Sequence, residues 1–247
     1  MFDLQKANTW KRVSAWILDA IMLVIAITGG LYAMTSLLGY GQTLEEYNAL
    51  QQQYIEEFGV DMSATELSAE EIALRETADA AFRKDADAIR LNGRIVAQTP
   101  LIIAFPPLIA FLLLEFLVPL IFGNGQTLGK KVFGVAVMRE DGVRLTPLAL
   151  FARTILGKYT LGLMLPALLL ALFFIGTMGL VALVVAAALL IAQIVVPIAS
   201  RTNAAVHDKL ACTLTVDMAS QMIFDTKEDL LAYKNRLQAE KAQAADY

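Results

Sequence analysis

The chain alternates between long apolar runs and strongly polar stretches. A bilayer core about 30 Å thick needs roughly 20 mainly apolar residues in helical form to cross it. Four runs qualify, at about 13–38, 100–122, 160–175 and 179–199. Only Gly-Thr-Met-Gly (176–179) separates the last two, so they form a helical hairpin. The pattern predicts an all-α integral membrane protein with four transmembrane helices. The first run is too long for the core of a cleaved signal peptide, and no convincing small-x-small cleavage site follows it.

The polar stretches carry their own periodicities. In 39–99, Leu44, Tyr47, Leu50, Tyr54 and Phe58 recur at helical steps, and Ile72, Ala78, Phe82, Ile89 and Val96 form a second stripe. Ser68 followed by Glu71 is a capping-box signature. This segment is expected to form a helical hairpin that buries its apolar stripe on itself; the alternative is a surface for a partner or for self-association. In 123–159, the runs 131–138 and 142–145 flank Glu140-Asp141-Gly142, a β-hairpin turn signal. The alternating run 212–218 offers a third strand, giving a small β-element. Residues 145–159 read as an amphipathic helix along the interface, with Arg153 and Lys158 toward headgroups. From Thr226 onward the chain is charged and helix-prone, with Asp229 placed to complete a cap. The resulting division is 1–38, 39–99, 100–122, 123–159, 160–199 and 200–247.

Composition agrees and charge adds orientation. The 247 residues are 57% hydrophobic and 18% charged, where soluble domains carry about 25% charge. Lys6, Lys11 and Arg12 precede the first span. Lys130, Lys131, Arg139, Arg144, Arg153 and Lys158 lie between spans two and three, and Arg201 and Lys209 follow span four. Segment 39–99 instead holds twelve acidic and five basic residues, a net charge of −7. Basic segments stay inside. Both termini and the β-element are therefore expected in the cytoplasm, and the acidic hairpin outside.

Ionisable side chains within spans are costly and point to function. Asp19 lies seven residues past Arg12, Glu115 eight before Gly123, and Gln193 eight before Arg201. At 1.5 Å per residue all three sit about 10–12 Å inside the same face, which defines a candidate ion or proton site. Two carboxylates close together in low dielectric share one proton, and an arriving cation displaces it. The bland reading of Asp19 and Glu115 is that they only hold helices together. Pro106-Pro107, Pro119 and Pro197 free backbone carbonyls that can ligate a cation or bond across helices.

Other signals fall away. The stretch 123–132 has the wrong glycine spacing for a phosphate-binding loop, and no Ser or Thr follows its lysines. His207 is the sole histidine and Cys212 the sole cysteine, so neither a histidine metal site nor an internal disulfide is expected. Ala182, Ala186, Ala187, Ala188 and Ala192 form a close-packing face. No nucleophile–base arrangement is found. The expectations are no enzymatic activity, no cofactor, no metal and no nucleic acid.

Three motifs occur in order: Arg-Val-Ser-Ala-Trp-Ile-Leu-Asp (12–19), Gly-Gln-Thr-Leu-Gly-Lys-Lys and its continuation (125–142), and Ala-Val-His-Asp-Lys-Leu (205–210). Together they resemble the RDD family of membrane proteins, named for one arginine and two aspartates. By position the arginine is Arg12 and the first aspartate Asp19; the second is Asp208, with Asp141 as the other candidate. Position alone would make Asp208 a surface or cap residue near the inner end of span four. The resemblance implies a bacterial cytoplasmic (inner) membrane protein, with transport suggested for the family and cation/proton exchange for some members. The long acidic hairpin departs from that compact pattern. The expected function is transport or exchange of a proton or monovalent cation at Asp19, Glu115 and Gln193, in the lipid bilayer and as a homo-oligomer, since four helices make a thin bundle. The alternative is an accessory protein that binds partners through the outer hairpin or the cytoplasmic elements.

Overall fold

A computed structural model describes residues 5–60 and 68–245. Among these, helices α1 (Thr9–Leu38), α2 (Tyr40–Glu57), α3 (Ala69–Phe82), α4 (Ala86–Phe122) and α5 (Leu128–Val132) come first. Strand β1 (Val135–Arg139), α6 (Pro147–Phe174), α7 (Gly179–Ala199), α8 (Val206–Leu210), β2 (Thr213–Asp217) and α9 (Lys227–Ala245) follow. Helices α1, α4, α6 and α7 are long and apolar enough to cross a membrane. The chain is an all-α integral membrane protein with a small two-stranded sheet.

The chain divides into two compact units. One is Ala26–Pro107. In it α3 starts with the predicted box: Glu71 N–H donates to Ser68 Oγ, and Ser68 N–H donates to the Glu71 carboxylate at 2.7 Å. Tyr47 and Tyr54 of α2 meet Phe82 of α3 edge-on, with centroids 5.2 and 5.6 Å apart. Phe82 and Ala78 are buried by this clasp. Ile72 and Ile89 of the expected stripe are not, at 45% and 58% exposed. Tyr54 OH donates to Asp85, whose other oxygen accepts from Ala88 N–H and so caps α4. Residues 61–67 of the expected hairpin lie outside the described residues. The helix that leaves the clasp does not stop at the second span: α4 runs unbroken from 86 through the prolines at 100, 106 and 107.

The other unit joins the chain up to Ile25 with the chain from Leu108 onward. Its sheet pairs β1 with β2 antiparallel, from Val135 opposite Asp217 to Arg139 opposite Thr213. Ala136, Met138, Leu214 and Val216 make its buried face. The expected turn forms, with Gly142 at φ 86° and its N–H bonded to Arg139 O. Its second arm, however, contributes a single bridge, Met138 to Arg144. The strand at 212–218 is thus the main partner of β1, because its alternating apolar face covers more than the short 142–145 arm can. Residues just before α1 line the other edge of β2: Lys6 bridges Val216, and Asp217 N–H donates to Gln5 O. Val143, Phe224 and Leu230 with Tyr233 tie α9 to the 142–145 arm beside the sheet, and Thr226 and Asp229 cap α9 as expected.

The third span also differs from expectation. Residues 147–174 form one helix, α6, in place of an interfacial helix followed by a span beginning at 160. Arg153 is 3% exposed and does not reach toward headgroups. Its charge enters the protein because a buried carboxylate receives it.

Candidate functional site

The site is built on two helical stretches of wide, i→i+5 bonding: Leu112–Leu117 in α4 and Ala152–Met164 in α6. Such turns bring side chains out of the usual helical register and recur at functional sites. Thr154 Oγ1 donates to Glu115 O at 3.1 Å, and Lys158 Nζ forms an ion pair and hydrogen bond with the Glu115 carboxylate. Residues 154 and 158 of α6 thus face α4. Residues 153 and 157 face α8. Arg153 Nη2 lies 2.6 Å from Asp208 Oδ1, and a Cβ on Gly157 would come within 2.5 Å of His207 Cβ. Glycine there lets α8 sit directly against α6.

Asp208 is fully buried, which corrects the surface reading of this position. It accepts from Ala205 N–H at 3.0 Å, capping α8, and stands 3.8 Å from Arg12 Nη2. Two guanidinium groups therefore share one carboxylate. Burial pushes the Asp208 carboxyl up; Arg153, the Ala205 amide and Arg12 outweigh this and hold it below the ordinary range. His207 is held neutral, with burial pushing its pKa down to about 3.

Asp19 is held from another side. Thr127 Oγ1 donates to it at 2.5 Å and Gly129 N–H at 2.7 Å. Gly129 is in direct backbone contact with α1: a Cβ on it would lie 2.2 Å from Ala15 O. The glycine of the 125–131 motif is thus what lets α5 press onto α1 and bond Asp19.

Between these groups lies a cavity of about 740 Å³, lined among others by Arg12, Asp19, Lys130, Arg153, Lys158, Gln193, His207 and Asp208. Its other wall is apolar and includes Val13, Trp16, Ile194 and Ile198. Of the sequence-predicted residues, Arg12, Asp19, Gln193 and Asp208 meet here. Glu115 stands behind the wall as the counter-ion of Lys158. No hydrogen bond joins Glu115 to Asp19 among the described residues. Asp141 is elsewhere, paired with Arg139 at 2.7 Å in the β-turn. Sequence reasoning missed Lys130, Arg153 and Lys158 as site residues, because it counts Lys130 only as a loop charge and turns Arg153 and Lys158 toward headgroups. Lys130 has no ion pair among the described residues; burial, then the charges of Lys158 and Arg153, push its pKa down to about 7. No group of three or more His, Cys, Asp or Glu able to hold a metal occurs among the described residues.

Fold and site together define a polytopic helical membrane protein with a charged cavity at one end of its spans. The sequence pattern of the RDD family matches residues 6–212, and the chain belongs to that family. The match contains Arg12, Asp19 and Asp208, all three of which line the cavity. No curated protein and no solved structure matches the chain.

Proposed function

We propose that this RDD-family protein transports or exchanges a small ion across the bacterial cytoplasmic membrane, binding it in the cavity between α1, α6 and α7. The observation that carries this reading is the cavity itself. A space of about 740 Å³ is the size of an ordinary ligand site, and ionisable residues from span helices α1 and α6 line it. Charges at that depth persist where ions or protons move. The distribution of Lys and Arg turns the cavity toward the cytoplasm. Only three of the four span helices line the cavity, and a homo-oligomer completes the pathway. In this reading Asp19 takes up the ion or proton, and Gln193 supplies a neutral polar contact.

The charge balance bears on the cargo. Four basic side chains but two acidic ones line the cavity. A bare monovalent cation gains little there, whereas the proton still has Asp19 and Lys130 to exchange with. Flux measurements in vesicles of the purified protein test the reading, under Na⁺, K⁺ and anion gradients with a pH dye inside. A gradient-driven proton or ion flux lost in Asp19→Asn with folding intact is the expected result; well-folded wild type without flux under any gradient overturns it.

A second reading has one observation of its own. Ile72 and Ile89 remain exposed on the α2–α3 clasp and the start of α4, as a surface for a protein partner would leave them.

A further inference from the structure

We infer that the cavity binds a phosphate group, on an anionic lipid headgroup or free in solution, through Arg153, Lys130 and Arg12. This rests on the cavity being the ligand site proposed above, but not on anything being moved across the membrane.

The first observation is a set of unused donors. The Arg153 side chain is 4% exposed and only its Nη2 meets a carboxylate. Its Nε and Nη1 are buried with no hydrogen-bond partner, although buried N–H groups are satisfied as a rule. An arginine at a cavity wall with two unpartnered N–H groups, one on each edge of its guanidinium, has charge-assisted donors to offer an oxyanion. The second observation is independent of the first. Lys130 comes from a different element, α5, lines the same cavity and has no ion pair among the described residues. Arg12, from α1, adds a third cation that only shares Asp208 at 3.8 Å.

The acceptors, in contrast, already face donors or cations, although Asp208 Oδ1 makes no hydrogen bond among the described residues. Asp208 faces two guanidiniums and the Ala205 amide, Asp19 takes Thr127 and Gly129, and Glu115 neutralises Lys158. His207 contributes no charge. What remains toward the cavity is a surplus of about one positive charge, the complement of a phosphate diester or of singly ionised phosphate. The space is many times the roughly 30 Å³ share of a water molecule, so a phosphate fills only its polar end. The apolar wall, with Trp16 67% and Ile198 78% exposed, suits an acyl or other organic remainder. The phosphate-binding loop that the sequence lacks is not needed, since side chains supply the donors.

The test is binding by the full chain in a neutral detergent, read by native mass spectrometry and thermal stability. Probes are phosphatidylglycerol, inorganic phosphate, diacylglycerol, phosphatidylcholine, and sodium chloride matched for ionic strength. Wild type should be stabilised by phosphatidylglycerol, phosphate or both, and not by diacylglycerol or chloride. Lys130→Gln, which breaks no ion pair, should weaken that binding about tenfold, the worth of one charge-assisted hydrogen bond. Arg153→Lys, which keeps a charge opposite Asp208 but removes the two spare guanidinium donors, should weaken it at least as much. Phosphatidylglycerol alone identifies a lipid headgroup as the source; inorganic phosphate acting as well identifies free phosphate. Equal response to phosphatidylglycerol and phosphatidylcholine, equal binding by both variants and wild type, or no response to either phosphate probe overturns the inference. Binding without ion flux leaves the phosphate site and removes transport; flux without phosphate binding does the reverse.

Discussion

The two compact units solve the same problem, holding helices together, by opposite means. In Ala26–Pro107 the described contacts of the α2–α3 pair centre on rings: Phe82 between Tyr47 and Tyr54, with Ala78 beside it. In the other unit helices α1, α4, α6 and α8 are tied through charge: Arg153 and Arg12 on Asp208, Lys158 on Glu115, Asp19 on the start of α5. Ring packing involves no buried charge and loses only modest amounts when one contact is removed. Buried ion pairs gain little over apolar packing of the same volume and are costly to break. A protein that needed only to cross the membrane could have used leucine at these positions. The difference supports the proposed site in the charged unit, and it is there that all three family residues lie.

The comparison is sharpest at Asp208. Asp208→Asn leaves two guanidiniums without their buried carboxylate, which costs about 3–5 kcal/mol. The expected outcome is a loss of most folded protein in detergent, seen as a collapse of the monodisperse peak or a large drop in Tm. A variant that accumulates and melts like wild type would show that the ion cluster is not what joins α8 to α6.

Next in size is Gly129→Ala. The added methyl would stand 2.2 Å from Ala15 O, and that oxygen belongs to a helix backbone that cannot step aside. Overpacking of this kind costs about 1–3 kcal/mol, and it also lifts α5 away from Asp19. Melting should fall, and Asp19-dependent flux should fall with it. Gly134→Ala is the control on the same loop, where nothing lies within 4 Å of an added Cβ but φ is +64°; it is expected to strain the backbone without touching Asp19.

Much of this was legible in the sequence. The four spans follow from length and hydropathy, the start of α3 from Ser68 and Glu71, and the start of α9 from Thr226 and Asp229. Residue counting puts Asp19, Glu115 and Gln193 at one depth; Asp19 and Gln193 share the cavity, while Glu115 is not among its lining residues. What counting missed is contact between elements far apart in the chain. The partner of β1 lies more than seventy residues away, so the nearer 142–145 arm was the natural expectation. Arg153 and Lys158 were read as headgroup-facing because charge near a span end usually is. One signal was available: Arg153, Thr154, Gly157 and Lys158 alternate charged and small residues at a spacing of four, which lets one face meet Asp208 and the other Glu115. Lys130 gave no such signal, since its surroundings come from three other elements.

The smallest of the expected effects tests the ring-packed unit. Phe82→Leu keeps an apolar side chain of similar bulk but removes two edge-to-face ring contacts, each worth about 0.5–1.5 kcal/mol beyond area. Tyr54 also holds Asp85 through its hydroxyl, and Asp85 caps α4, so a loosened ring cluster propagates to that cap. Hydrogen exchange should therefore accelerate across α2, α3 and the first turn of α4. Amides of α5, α8 and the sheet should keep their protection, because the ring contacts of Phe82 among the described residues lie with Tyr47 and Tyr54. If exchange instead rose equally in α8 and β2, the two units would be one cooperative structure, and the contrast between ring packing and charge packing would no longer separate scaffold from site.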